Sequence, residues 1–147
     1  MEVQIADIFA LKEVAFLFDQ YRVFYGKTSD LEAAYCFLSE RMINQQSMIL
    51  LARDAAGKAV GFSQLYPTFS SVSMRKKFIL NDLFVLPEAR KTGVGAALLD
   101  QAKLVAREFG AGALTLSTAV DNQAAQQLYQ SNGWKHDKDF LSFGFSL

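Results

Sequence analysis

The sequence predicts an α/β (α+β) fold in which a mixed central sheet of about six to seven strands is flanked by four helices. Three observations predict it. Apolar residues recur at helical spacing through the first third of the chain. Two runs rich in strand formers then meet at a glycine-ended turn. Further on, a strand, a long helix and a second strand follow one another, an order that requires parallel pairing.

The elements follow in order. Residues 3–5 form a short strand, and Asp7 caps a helix with an apolar stripe of Ile8, Leu11, Ala15, Phe18 and Val23, broken at Gly26. Ser29 or Asp30 caps a second helix, which places Leu31, Ala34, Tyr35, Leu38 and Met42 on one side and ends near Asn44. Residues 48–53 and 59–69 are strands joined at Asp54-Ala55-Ala56-Gly57, and 76–85 is the fourth strand. Thr92 is positioned to cap a third helix over about 93–109, which Gly110-Ala111-Gly112 stops ahead of a strand at 113–117. A last helix over about 122–131 stops at Asn132-Gly133, with Gly133 suited to the left-handed cap, and two short strands close the chain through Leu147.

Composition narrows the classes of function. A chain of 147 residues that is 51% hydrophobic suits one domain over 1–147 with a sizeable core, and no Pro/Gly/Ser-rich linker divides it. Fifteen basic and fifteen acidic residues give zero formal charge, which argues against a nucleic-acid or membrane partner. No basic amino-terminal region and no apolar run near about 18 residues predicts a leader or a membrane span. The single Cys36 allows no internal disulfide, in keeping with a cytoplasmic protein. No metal site is expected. His136, among Lys135, Asp137, Lys138 and Asp139, reads as a solvated turn residue.

The junction around residues 79–96 carries the chemistry. The strand formers Ile79, Leu80, Leu83, Phe84 and Val85 run into Pro87, which cannot donate to a ladder. A helix start follows, with its unpaired N–H groups and positive dipole end, while Gly93 and Gly95 remove side chains that would hold an anion away. Arg90 and Lys91 add charge there. No Gly-Lys followed by Ser or Thr stands at P-loop spacing, and Leu98 occupies the third small position of a dinucleotide fingerprint. Triphosphates and dinucleotides are therefore disfavoured.

The segment resembles the acyl-CoA site of the GCN5-related N-acetyltransferases (GNAT), whose pattern Val-x-Pro-x-x-Arg-x-x-Gly-x-Gly is met by Val85, Pro87, Arg90, Gly93 and Gly95. A second signature of that family appears as Asn122, Ala125, Leu128, Tyr129, Gly133 and Trp134. The strand-to-helix block is nearest to the diamine acetyltransferase-like branch. The resemblance implies a GNAT fold with a splayed parallel strand pair, and acetyl transfer from acetyl-CoA to a primary amine of a small molecule by direct attack in a ternary complex. Polyamines, amino acids and amine-bearing antibiotics are the candidate acceptors. It also implies a homodimer, as many relatives form. A protein amine as acceptor, or an acyl-CoA-binding sensor module with little catalysis, is the alternative.

By the same resemblance Arg90, Lys91, Thr92, Gly93, Val94, Gly95 and Ala96 bind the pyrophosphate, and backbone groups of Leu83, Phe84 and Val85 bind the pantetheine arm like an added strand. Asn122 and Ala125 lie beside that arm, and Tyr129 protonates the departing thiolate. Helical spacing supports the last group, since Asn122, Ala125 and Tyr129 fall at i, i+3 and i+7 and share a face. A tyrosine of pKa about 10 is protonated at neutral pH and can donate.

The proton must also leave the amine, because an ammonium has no lone pair for attack. The diamine branch has paired acids ahead of its Leu-aromatic-Val step, where this chain has Asn81-Asp82. Strand alternation turns Asn81 toward the position of the family's base and Asp82 away from it, unless a bulge reorients them. Asp82 is the chosen base, with water, Glu88 or an amine that arrives neutral as the other routes. Aromatic residues favour a cationic acceptor, so Tyr21, Tyr25, Tyr66 and Asn81 are the candidate substrate residues.

Overall fold

Continuous buried runs at 49–52 and 60–65 build the centre of the sheet. In the computed structural model, which describes residues 1–147, β1 (Glu2–Ile5), β2 (Met48–Arg53), β3 (Ala59–Ser70), β4 (Arg75–Val85) and β5 (Ala113–Thr115) pair in that order. All neighbours are antiparallel except β4 and β5, which run parallel from Lys77 opposite Ala113 to Ile79 opposite Thr115. The sheet thus has five strands rather than six to seven. The two strands expected at the carboxyl end do not form: Phe140, Leu141, Phe143, Phe145 and Leu147 are exposed in irregular backbone. Apolar residues make a strand only where a neighbour accepts and donates the ladder bonds.

Four helices accompany the sheet: α1 (Leu11–Phe24), α2 (Leu31–Ile43), α3 (Val94–Glu108) and α4 (Gln123–Ser131). Chain compactness divides the residues into Met1–Ser117, which holds the whole sheet and α1 to α3, and Thr118–Leu147, which holds α4. In the first unit, Leu11, Val14, Ala15, Leu17 and Phe18 of α1 and Ala34 and Leu38 of α2 form one core with Ile49, Leu51, Phe62, Phe84 and Leu86. Asp7 caps a 3-10 turn, Ile8–Ala10, rather than α1 itself. That tighter turn shifts the phase of the stripe, so Ile8 is exposed and Val14 and Leu17 are buried instead.

Gly61, next to Phe62, faces the other side of the sheet. A Cβ there would lie 2.9 Å from the Phe84 carbonyl oxygen and 3.1 Å from Val94 Cγ1, so the missing side chain is what lets the first turn of α3 settle on β3. Helices α1 and α2 therefore cover one face and α3 the other. The connection between α1 and α2 is fixed by Asp19, whose buried carboxylate accepts from Ser29 Oγ at 2.6 Å and from the Asp30 amide at 2.7 Å. Asp30, not Ser29, caps α2 by accepting from the Ala33 amide.

Candidate active site

The anion-binding junction is made almost entirely of backbone. Pro87–Ala89 forms a 3-10 turn after β4, Lys91 and Gly93 both have positive φ (61° and 90°), and α3 begins at Val94 with Gly93 as its N-cap. Thr92 does not cap the helix as its spacing suggested; its hydroxyl donates to the Ala89 carbonyl at 2.7 Å. The left-handed Gly93 takes the N-cap place, and no side chain bonds to the first turn. The first intrahelical bond is Ala97 N–H to Gly93 O, which leaves the amides of Val94, Gly95 and Ala96 without a helical acceptor. Successive amides in such a turn form a concavity suited to an oxyanion, with the dipole of α3 behind it.

The adjoining strand has an open edge. Pairing of β4 with β5 ends at Ile79, whereas its pairing with β3 continues to Val85. Leu86 N–H bonds to Val60 O, so alternation spends the polar groups of Phe84 on β3 and turns those of Leu83 and Val85 to the open side. The Phe84 side chain is buried in the core. An open strand edge beside an uncapped helix start suits coenzyme A, which carries both an amide-bearing arm and a pyrophosphate.

A bulge prepares the opposite end of this strand segment. Gln64 pairs with Asp82 and Leu65 with Leu80, so Asn81 has no partner on β3. The extra residue puts Leu80 and Asp82 on opposite faces, where a regular strand would put them on the same one. Asp82 consequently turns to the side of Phe62, Phe84 and α1. It is 3% exposed and accepts from Gln64 Nε2 at 2.5 Å and from Asn81 Nδ2 at 3.0 Å. Burial pushes its carboxyl above the ordinary range, opposed by hydrogen bonds from Gln64, Asn81 and Tyr21.

Tyr21, Tyr66, Asn81 and Asp82 are thus gathered around Gln64, a residue the sequence reading passed over. Burial and the nearby Asp82 charge push the Tyr66 hydroxyl up to about 12, against Arg41 and a hydrogen bond with Gln64. Tyr25 joins through its ring, 5.0 Å from that of Tyr21. Glu88 is placed differently: it is exposed, and its own backbone amide and then Lys58, 3.2 Å away, hold its carboxyl below the ordinary range.

The second unit orders its own motif. Asn122 caps α4 by accepting from the Ala125 amide at 3.2 Å, and Asn122, Ala125 and Tyr129 are each half-buried. Gly133 has φ 84°, and the Trp134 amide donates to the Tyr129 carbonyl. The Trp134 ring lies 6.3 Å from that of Tyr129.

Known proteins share this chain's sequence pattern and fold. The model of the acetyltransferase (GNAT) family matches residues 13–134. The chain is 50% identical over 130 residues to an uncharacterized N-acetyltransferase, YhfO, of Bacillus subtilis, covering 88% of this chain and 87% of that one. It is 34% identical over 134 residues to a probable acetyltransferase of Haemophilus influenzae, covering 89% and 88%. The crystal structure of a probable acetyltransferase superposes with a TM-score of 0.95 at 40% identity, over 100% of this chain and 98% of that one.

Proposed function

The chain belongs to the acetyltransferase (GNAT) family, and from that premise we propose that it acetylates a primary amine of a small molecule by direct attack in a ternary complex. The observation that carries this reading is the bulge at Asn81, which turns a buried carboxylate toward the aromatic residues of α1 and β3. One acid among Tyr21, Tyr25 and Tyr66 suits a compact cation better than an extended peptide, whose backbone would need a row of partners.

Acetyl-CoA, when bound, supplies the activated thioester. The loop from Arg90 to Ala96, chiefly the amides of Val94, Gly95 and Ala96, would hold its pyrophosphate, and the edge at Leu83 and the Val85 amide its pantetheine arm, the Val85 carbonyl accepting from Arg90 Nε. Asp82 takes the proton that leaves the ammonium nitrogen, a role suited to a carboxyl raised by burial and steered by Gln64 and Asn81. Tyr129 Oη donates a proton to the departing sulfur, an assignment supported by its place in the family's second motif. An ammonium that becomes an amide gives up two protons: one would pass to Asp82 and on to solvent, and the other would replace the proton that Tyr129 gives to sulfur, so that an amide and a free thiol remain. The local match to the diamine acetyltransferase-like branch makes polyamines the first acceptors to try.

Free-thiol release from acetyl-CoA, followed against a panel of polyamines, amino acids and aminoglycosides, tests the proposal. Turnover with at least one is expected. Tight CoA binding without thiol release from any of them overturns it in favour of an acyl-CoA-binding module.

A further inference from the structure

Asp82 has to receive a proton, yet it is only 3% exposed. A base so deeply set needs a group that reaches it from the acceptor side. Three side chains donate to its carboxylate: Gln64 through Nε2, Asn81 through Nδ2 and Tyr21 through its hydroxyl. The two amides cannot carry a proton onward, because an amide nitrogen donates but has no lone pair with which to receive. A hydroxyl can do both at once. Tyr66 of β3 also faces the carboxylate, but its hydroxyl bonds with Gln64, where the path ends at an amide.

The Tyr21 ring is held from several sides. Its centroid lies 6.3 Å from that of Phe18, and Tyr25, Phe62 and Phe84 meet it edge-on at 5.0, 6.0 and 6.4 Å. Phe18, Phe62 and Phe84 are buried and Tyr25 is exposed, while Tyr21 itself is half-buried. The residue thus spans the step from the core to the surface beside α1.

The geometry points to Tyr21 as a catalytic relay: its oxygen takes a proton from the acceptor nitrogen while its own hydroxyl proton passes to Asp82. One N–H and one O–H bond break and two O–H bonds form, so the phenol ends as it began and the carboxylate holds the proton. A phenol of pKa about 10 is a poor proton acceptor by itself, and transfer onward to Asp82 is what makes it usable. The relay rests on the function proposed above, with Asp82 as the base.

Tyr21→Phe removes the hydroxyl and keeps the ring, and melting curves check that the variant folds. Single-turnover acetylation of an amine that releases thiol is followed across pH in wild type and variant. The rate on the plateau above the acid limb is expected to fall about tenfold or more. Loss of a donor to the carboxylate also moves the limb to higher pH, whether or not a proton passes through Tyr21. The plateau therefore decides: a limb that moves while the plateau stays within about twofold overturns the relay. A second measurement needs no variant. In mixtures of H2O and D2O, protons that move together bow the wild-type rate below a straight line in deuterium fraction; a straight line overturns the relay. Asp82→Asn keeps the two ideas apart. A plateau lost in Asp82→Asn but kept in Tyr21→Phe leaves the base and removes the relay, whereas thiol release with no amine removes both.

Discussion

The two halves of the candidate site are built from different materials. On the cofactor side, an uncapped helix start, two left-handed residues and an open strand edge come from one short stretch, and the groups offered are mostly backbone. On the acceptor side, Tyr21, Gln64, Tyr66, Asn81 and Asp82 arrive from three elements, and the groups offered are side chains. A backbone site tolerates many substitutions so long as the chain path survives. A side-chain site depends on each atom it presents, so single changes should be most damaging there.

Asp82→Asn should have the largest effect. Loss of a general base costs about 100-fold or more in kcat/KM, and the CoA Kd should change little because the carboxylate is buried against Gln64 and Asn81. The wild-type rate should fall as pH drops through the raised Asp82 pKa, and the variant should lack that acid limb. Stability should move the other way. A carboxyl whose pKa is raised by folding favours the fold below its unfolded pKa of about 3.9, and that contribution is lost as pH rises through the folded value. At neutral pH Asp82→Asn should therefore melt higher than the wild type, with the gap closing in acid. A pH–rate profile and melting curves at both ends of the range check each part; an unaltered acid limb would remove Asp82 from the mechanism.

Tyr129→Phe comes next. It should lower kcat by about tenfold and leave CoA affinity nearly intact, since only the hydroxyl is deleted. Steady-state rates and calorimetry separate the two, and unchanged turnover would dismiss the tyrosine as the acid.

The same contrast explains what could be read from the sequence. The course from Val85 to Ala96 was legible because a strand end, a proline and two glycines act on their own neighbours. The cap was misplaced from Thr92 because its hydroxyl found the Ala89 carbonyl first, a choice between two local bonds that spacing does not rank. Gln64 could not be read at all. Nothing near it in sequence announces that a bulge seventeen residues downstream, at Asn81, will bring Asp82 opposite it. The closing strands were expected from the apolar cluster of Phe140, Leu141, Phe143, Phe145 and Leu147, but apolar residues alone do not supply a strand partner.

Gly61→Ala probes the cofactor side where the first turn of α3 packs on β3. The added Cβ would meet the Phe84 carbonyl oxygen, which belongs to the sheet backbone, and Val94 in the first turn of α3. Overpacking of this kind costs about 1 kcal/mol or more, and a shift of the helix start should weaken CoA binding a few-fold. Denaturant unfolding and calorimetry measure both. Weakened binding without loss of stability would mean that the contact positions the helix without supporting the fold.

Glu88→Gln should do least, and for that reason it sharpens the comparison most. Glu88 is the other carboxylate near the junction, and its charge balances that of Lys58 on the surface. Its carboxyl is held below the ordinary range by its own amide and by Lys58, so it is a weaker proton acceptor than Asp82, whose burial works in the opposite direction. An exposed ion pair of this kind contributes little to stability. The variant should keep kcat/KM within about twofold across the acid limb and unfold at nearly the same denaturant concentration. If Glu88→Gln removed the acid limb and Asp82→Asn did not, the proton would leave the amine from the solvent side of the turn after β4. The buried cluster around Gln64 would then be a packing device of the bulge, with no part in the chemistry.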